Sequence, residues 1–170
     1  LNTLFKTVKI PVEGYKKRGN LNPLMSHVFG ADPFAMVYGD RIYVYMSDDH
    51  KTYNADGSLK EADYSDIRNI RIISSDDLAN WTDHGAQPIA GKNRPADEHP
   101  KWKNNNANWA NNSWAPAAAY KIINGKAKFF LYFADNGSGI GVMTSNTPYG
   151  PWTDPIKRQL ISRSTPNCGN

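Results

Sequence analysis

Cysteine is nearly missing from this chain. Its one copy, Cys168, lies near the C-terminal end, so no internal disulfide framework can form, and with no histidine nearby in sequence a catalytic thiol is not expected. Histidine is also scarce: His27, His50, His84 and His99 show neither HExxH nor another metal-ligand spacing, and no metal site is expected from them. No run approaches the roughly 18 apolar residues of a membrane-spanning helix, so no span is expected. A leader peptide is not recognisable from Leu1 onward, which leaves the compartment open between cytoplasmic and secreted. A phosphate loop is lacking too; the nearest approach, Gly137-Ser138-Gly139-Ile140-Gly141, reads as a strand-to-strand connection. Charge of one sign is not concentrated. The net charge is +4 and the pI about 9.1, but the cations are scattered and cluster only at Lys16-Lys17-Arg18 and Lys101-Trp102-Lys103. A solvated surface follows, with neither nucleic acid nor membrane expected as a partner.

What the chain does have is aromatic residues, at 12%, together with 13 Gly and 11 Pro in 170 residues of only 39% hydrophobic content. That balance favours short strands and many turns, hence an all-β class. Short β-branched or aromatic runs at 35–38, 42–46 and 70–73 return in the same order at 118–123, 128–133 and 141–144. In both copies the first run follows a proline step, Asp32-Pro33 and then Ala115-Pro116. In both, a tight turn joins the first two runs, Gly39-Asp40 and then Asn124-Gly125. The third run leads each time through Ser and a polar turn to Trp: Ser74-Ser75-Asp76-Asp77-Leu78-Ala79-Asn80-Trp81, then Ser145-Asn146-Thr147-Pro148-Tyr149-Gly150-Pro151-Trp152.

A repeat of this kind, three strands and a fourth expected after Trp, describes a β-propeller blade; an ordinary β-sandwich is the alternative. The first blade is expected over about 20–90 and the second over about 105–161, with 162–170 as an exposed connecting tail. Proline cannot donate to a sheet ladder and suits the start of an innermost strand. Pro33 is expected to push Asp32 into an extended conformation at the mouth of that strand, where propellers hold ligands. Two blades do not close a ring of about four to eight, so the chain is expected to be part of something larger. Trp81 and Trp152 are expected to fill between blades. Asn54-Ala55-Asp56-Gly57-Ser58 lacks the later Glu of a calcium loop and reads as a turn.

Several stretches then line up with a known family. Asn22-Pro23-Leu24-Met25, Gly30-Ala31-Asp32-Pro33-Phe34-Ala35, the run from Ile42 to Asp49, Leu78-Ala79-Asn80-Trp81, Trp109-Ala110-Asn111-Asn112-Ser113-Trp114-Ala115-Pro116, the run from Lys128 to Ala134, and Gly150-Pro151-Trp152 together resemble glycoside hydrolase family 43. The likeness is to its arabinofuranosidases that debranch arabinoxylan, and to their N-terminal portion only. It implies the first two blades or so of a five-bladed β-propeller. It also implies an inverting hydrolase that releases α-L-arabinofuranosyl side chains, with Asp32 as the base that activates water. The family's two other carboxylates, a tuning Asp and a Glu acid, belong to later blades. Glu13, Glu61 and Glu98 occupy no repeated inner-strand position, and the second Asp is expected soon after Asn170. The implied partners are a pentose-containing polysaccharide and a second chain carrying the remaining blades and the acid. No cofactor is implied from this chain, and a structural calcium is left to the missing part.

Trp109, Asn112 and Asp49 are the candidate sugar-binding residues, because an indole face packs on sugar C–H groups and an amide or carboxylate bonds hydroxyl pairs. Trp114 and Asp48 are weighed beside them as either sugar contacts or structural groups. A β-xylosidase or arabinanase of the same family, a retaining fructan hydrolase, and a non-catalytic sugar-binding propeller remain the alternatives.

Overall fold

A computed structural model describes residues 23–49, 53–58, 60, 64–92, 94 and 106–168. Asn22, the two basic clusters, His50, His99 and the three glutamates lie outside the described residues. The described residues form two antiparallel four-stranded sheets in series, each with its strands in chain order. The first contains β1 (Ala31–Tyr38), β2 (Arg41–Ser47), β3 (Asn69–Ser75) and β4 (Thr82–Pro88). The second contains β5 (Trp114–Ile123), β6 (Lys126–Ala134), β7 (Gly139–Ser145) and β8 (Ile161–Ser162). This is the expected pair of all-β blades. A 3-10 turn, Tyr64–Asp66, lies in the excursion between β2 and β3.

Local chemistry explains the hairpins. Gly39 takes φ 60° between β1 and β2, while Asn124 (φ 50°) and Gly125 (φ 73°) both adopt the left-handed region between β5 and β6. Two-residue hairpins need such angles because their twist must match that of the strands. The Ser-to-Trp turns repeat as well: Ser75 Oγ accepts the amides of Asp77 and Leu78 in one blade, and Ser145 Oγ accepts that of Thr147 in the other. Residues 54–58 are a turn closed by Gly57 N–H to Asn54 O at 2.9 Å.

Two expectations are corrected. Gly139 and Ile140 belong to β7 rather than to a connection, paired with Ser162 and Ile161, and the strand continues through Gly141, where a side chain would overlap the Phe133 ring. The outer edge of the second blade is also not a full strand. After Trp152 the chain bridges Thr153 to Thr144, turns around Asp154, and pairs only Ile161 and Ser162 with Ile140 and Gly139. The tail then folds back on that edge, with Arg163 Nε donating to Gly137 O at 2.9 Å.

The core lies between the blades. Met36, Tyr43, Tyr45, Ile70, Ile72 and Ile89 of the first meet Phe129, Leu131, Phe133, Met143 and Trp152 of the second. Tyr45 donates from its hydroxyl to Pro148 O at 2.7 Å across this seam, and His84 stacks on Tyr149 at 4.6 Å between ring centroids. Trp152 therefore fills between blades as expected. Trp81 packs with Val44, Met46, Ile73, Leu24 and Met25 on the face of the first blade that points away from the second.

Candidate active site

The two sheets lie with their first strands together, so β1 and β5 are the inner strands and their starts share one end of the molecule. Both begin with the same irregular step. On β1, Ala31 pairs with Ser47 and Phe34 with Tyr45, which sets Asp32 and Pro33 against the one residue Met46. On β5, Trp114 pairs with Ala134 and Ala117 with Tyr132, which sets Ala115 and Pro116 against Phe133. Each is a β-bulge, and the proline sits where no ladder donor is required. The first bulge residue has φ 50° at Asp32 and 44° at Ala115. The extended conformation expected for Asp32 is thus corrected: sheet register on both sides of the bulge overrides the local X-Pro preference. Left-handed backbone at a non-glycine residue is costly and concentrates at functional sites. Its effect here is to lift the exposed Asp32 carboxylate out of the ladder at the mouth of β1.

Behind Asp32 stands Ser47, 1% exposed at the end of β2. Its Oγ lies 3.5 Å from Asp32 Oδ2 and accepts the Ala115 amide at 3.0 Å. The next residue, Asp48, is buried and structural. Arg71 Nε donates to Asp48 Oδ1 at 2.7 Å, and Arg71 Nη1 reaches Asp83 Oδ2 at 2.8 Å, which also meets His27 Nε2 at 2.8 Å. Asp49 is half-buried and lines a cleft of about 240 Å³ with His27, Phe29, Asp48 and Arg71. Hydrogen bonds from His27 and the Gly85 amide, with the Arg71 charge, hold the Asp83 carboxyl below its usual range, although burial opposes this.

The loop before β5 is placed differently from its sequence reading. Asn112 is only 2% exposed, and its Nδ2 donates to Ser65 O at 2.7 Å and to Tyr64 O and Ile67 O at 3.4 Å each. Its expected role as a sugar-hydroxyl partner is corrected, because the amide N–H groups are committed to backbone carbonyls. Trp109 is half-buried, stacks on Phe133 at 5.9 Å, and donates from Nε1 to Asp154 Oδ2 at 2.8 Å. Trp114 Nε1 donates to Tyr64 O at 2.9 Å. The buried Asp135 accepts the amides of Asn111 and Asn112, both at 2.9 Å. These contacts anchor the loop to both blades.

The sequence profile described as "Glycosyl hydrolases family 43" matches residues 21–165. The chain belongs to glycosyl hydrolase family 43. It is 55% identical over 151 residues to an arabinoxylan arabinofuranohydrolase of Paenibacillus polymyxa, covering 87% of this chain and 22% of that protein. A crystal structure of a family 43 arabinoxylan arabinofuranohydrolase from Bacillus subtilis, in complex with cellotetraose, superposes with a TM-score of 0.80 at 50% identity. It covers 89% of this chain and 30% of that one. A Humicola insolens protein named xylosidase/arabinosidase 43A is 32% identical over 146 residues, covering 79% of this chain and 38% of its own length. The two sheets are thus N-terminal blades of the family's five-bladed propeller, and the chain spans well under half the length of these relatives.

Family 43 motifs drew attention to Asp32 and Asp49, which lie at the same end of the first blade. They did not draw attention to Ser47. Its one signal was its place opposite Ala31, where strand register turns a routine strand-end serine into a neighbour of the carboxylate.

Proposed function

We propose that this chain supplies the base-bearing blades of an inverting α-L-arabinofuranosidase acting on arabinoxylan. The observation that carries the reading is Asp32, an exposed carboxylate on a left-handed bulge at the mouth of the inner strand, in a chain 55% identical to an arabinoxylan arabinofuranohydrolase. An ionised carboxylate so placed accepts a proton from water as that water attacks the anomeric carbon. A carboxylic acid across the sugar then protonates the leaving oxygen, and the configuration inverts. Water and two carboxyl groups suffice for this chemistry, so no cofactor is assigned to these residues. Asp49, Phe29 and the cleft between them are the candidate sugar contacts nearest the base in sequence.

The acid and the remaining blades come from outside residues 1–170, which span well under half the length of the relatives they match. Repeat logic supports a following blade at one particular face. Tyr43, Tyr45 and Ile70, buried against the second blade, correspond in register to Phe130, Tyr132 and Ile140, which are only half-buried. A following blade would cover the latter set as the second blade covers the former. Co-production of 1–170 with the downstream blades should give soluble protein and activity; soluble, active 1–170 alone refutes the need for them.

The test of the activity is Asp32→Asn in the completed propeller. Turnover of an aryl arabinofuranoside should fall by roughly 10²–10⁴-fold while KM changes little. Arabinose, released first as the inverted anomer, should be the product from arabinoxylan. Near-normal turnover overturns the base assignment, and predominant xylose overturns the substrate.

A further inference from the structure

We propose that Ser47 is the positioning residue for the base, passing to Asp32 a hydrogen bond that begins at the backbone amide of Ala115 in the neighbouring blade. The inference rests on Asp32 being the base.

The polarity of the chain of contacts follows from what each group can do. The Ala115 amide can only donate, so at 3.0 Å it takes a lone pair of Ser47 Oγ. The hydroxyl keeps its one proton, and the acceptor facing it is Asp32 Oδ2 at 3.5 Å. A carboxylate can only accept, so the sequence runs amide to hydroxyl to carboxylate. Consecutive bonds of this kind polarise one another, and catalytic hydrogen bonds are often long until the reactive complex forms. Ser47 is 1% exposed, so bulk water does not compete for its hydroxyl.

The repeat provides an internal control. Ala115 is the counterpart of Asp32, the first residue of the same left-handed bulge, but it carries a methyl group in place of the carboxylate. Ser47, paired with Ala31, has as its counterpart Ala134, paired with Trp114. The hydroxyl therefore occurs in the copy that has a carboxylate to hold and is missing from the copy that does not. The bulge of the second blade, with no chemistry of its own, lends its amide to the first. Two other carboxylates at this end are engaged elsewhere: Asp48 with Arg71, and Asp135 with the amides of Asn111 and Asn112.

A base must hold its attacking water in line with the anomeric carbon. The Asp32 carboxylate is exposed and stands on a bulge, so Ser47 is the buried side chain that fixes one of its oxygens. Binding of the sugar does not require that contact, whereas attack by water does.

The experiment uses the completed propeller with an aryl arabinofuranoside. Ser47→Ala should lower kcat roughly 10–100-fold, the cost expected of a misplaced catalytic group, with KM unchanged. In an Asp32→Asn background the same change should have no further effect on kcat, because Ser47 acts through the carboxylate. A multiplied loss in the double variant would show a general effect on the fold and overturn the proposal. So would a kcat for Ser47→Ala within about twofold of the parent. If Ser47→Ala is too unstable to assay, Ser47→Thr and Ser47→Val repeat the comparison at matched shape. Threonine should keep turnover and valine lose it, and equal rates overturn the proposal. Near-normal turnover of Asp32→Asn would instead remove the base assignment itself. An inactive Asp32→Asn beside a fully active Ser47→Ala removes only the role of Ser47.

Discussion

Replacing Asn112 with alanine separates a sugar ligand from a structural tie. The side chain is 2% exposed and donates to three carbonyls. Two of them keep another donor: Tyr64 O accepts Trp114 Nε1 at 2.9 Å, and Ile67 O accepts the Ser113 amide at 3.0 Å. The bond to Ser65 O, at 2.7 Å the shortest of the three, is lost outright. Losing that bond and the packing of the amide should cost about 2 kcal/mol. In the completed propeller this lowers Tm by less than the roughly 4–8 °C it would cost a domain of about 150–250 residues, because the shift per kcal/mol falls with size. Asn112→Asp keeps the shape but replaces the donor with a buried carboxylate, which can only accept, facing three carbonyl oxygens, and should cost about 3–5 kcal/mol at neutral pH. The sign of its pH dependence follows. Such a carboxyl is raised in the folded state, so its stability deficit shrinks as pH falls and the group protonates. Thermal melts of the completed propeller, with KM and kcat for each variant, decide the matter. The structure requires a lower Tm with KM unchanged in Asn112→Ala. An unchanged Tm with a raised KM would refute this reasoning and restore Asn112 as a sugar contact.

Tyr45→Phe removes the buried bond to Pro148 O, and the seam should weaken by about 1–2 kcal/mol, read as a lower denaturation midpoint. A midpoint equal to the parent's would mean that water replaces the hydroxyl. Burial, assisted by the nearby Arg41 charge and opposed by Asp83, holds the His84 pKa below its ordinary 6.5. Its contribution to stability is therefore present above about pH 6.5 and lost as pH falls through the depressed folded value. His84→Gln should flatten that acid-side loss in a series of melts, and an unchanged slope would exclude His84 as its source. Gly141→Ala drives a methyl group into the Phe133 ring in the inter-blade core and should destabilise by about 1–3 kcal/mol or more, whereas Gly57→Ala, in open space, should suffer only from its φ of 82°.

Strand existence, strand order and the blade repeat were legible in the residues because local rules produce them. Left-handed turn residues, proline at strand starts and a Ser turn before each Trp act within a few positions and recur in both copies. The place of Asp32 at the mouth of β1 was legible for the same reason, through the repeated proline step, whereas its reading as a base came from the likeness to family 43. The roles around it were decided by partners far along the chain. Ser47 meets Ala115 across 68 positions, Asn112 meets Ser65 across 47, and Trp109 meets Asp154 across 45. A polar loop of Asn and Trp reads alike whether it faces a ligand or ties two blades together, since both uses need the same donors. Packing of the second blade on the first commits the Asn112 donor to protein acceptors, and the folding of the second blade on itself commits that of Trp109. The backbone of Asp32 makes the same point. Its local preference before proline is extended, but ladder register fixed on both sides, at Ala31–Ser47 and Phe34–Tyr45, leaves one residue too many between them. The bulge that results turns the carboxylate outward and sets it beside a serine that no sequence motif had linked to it.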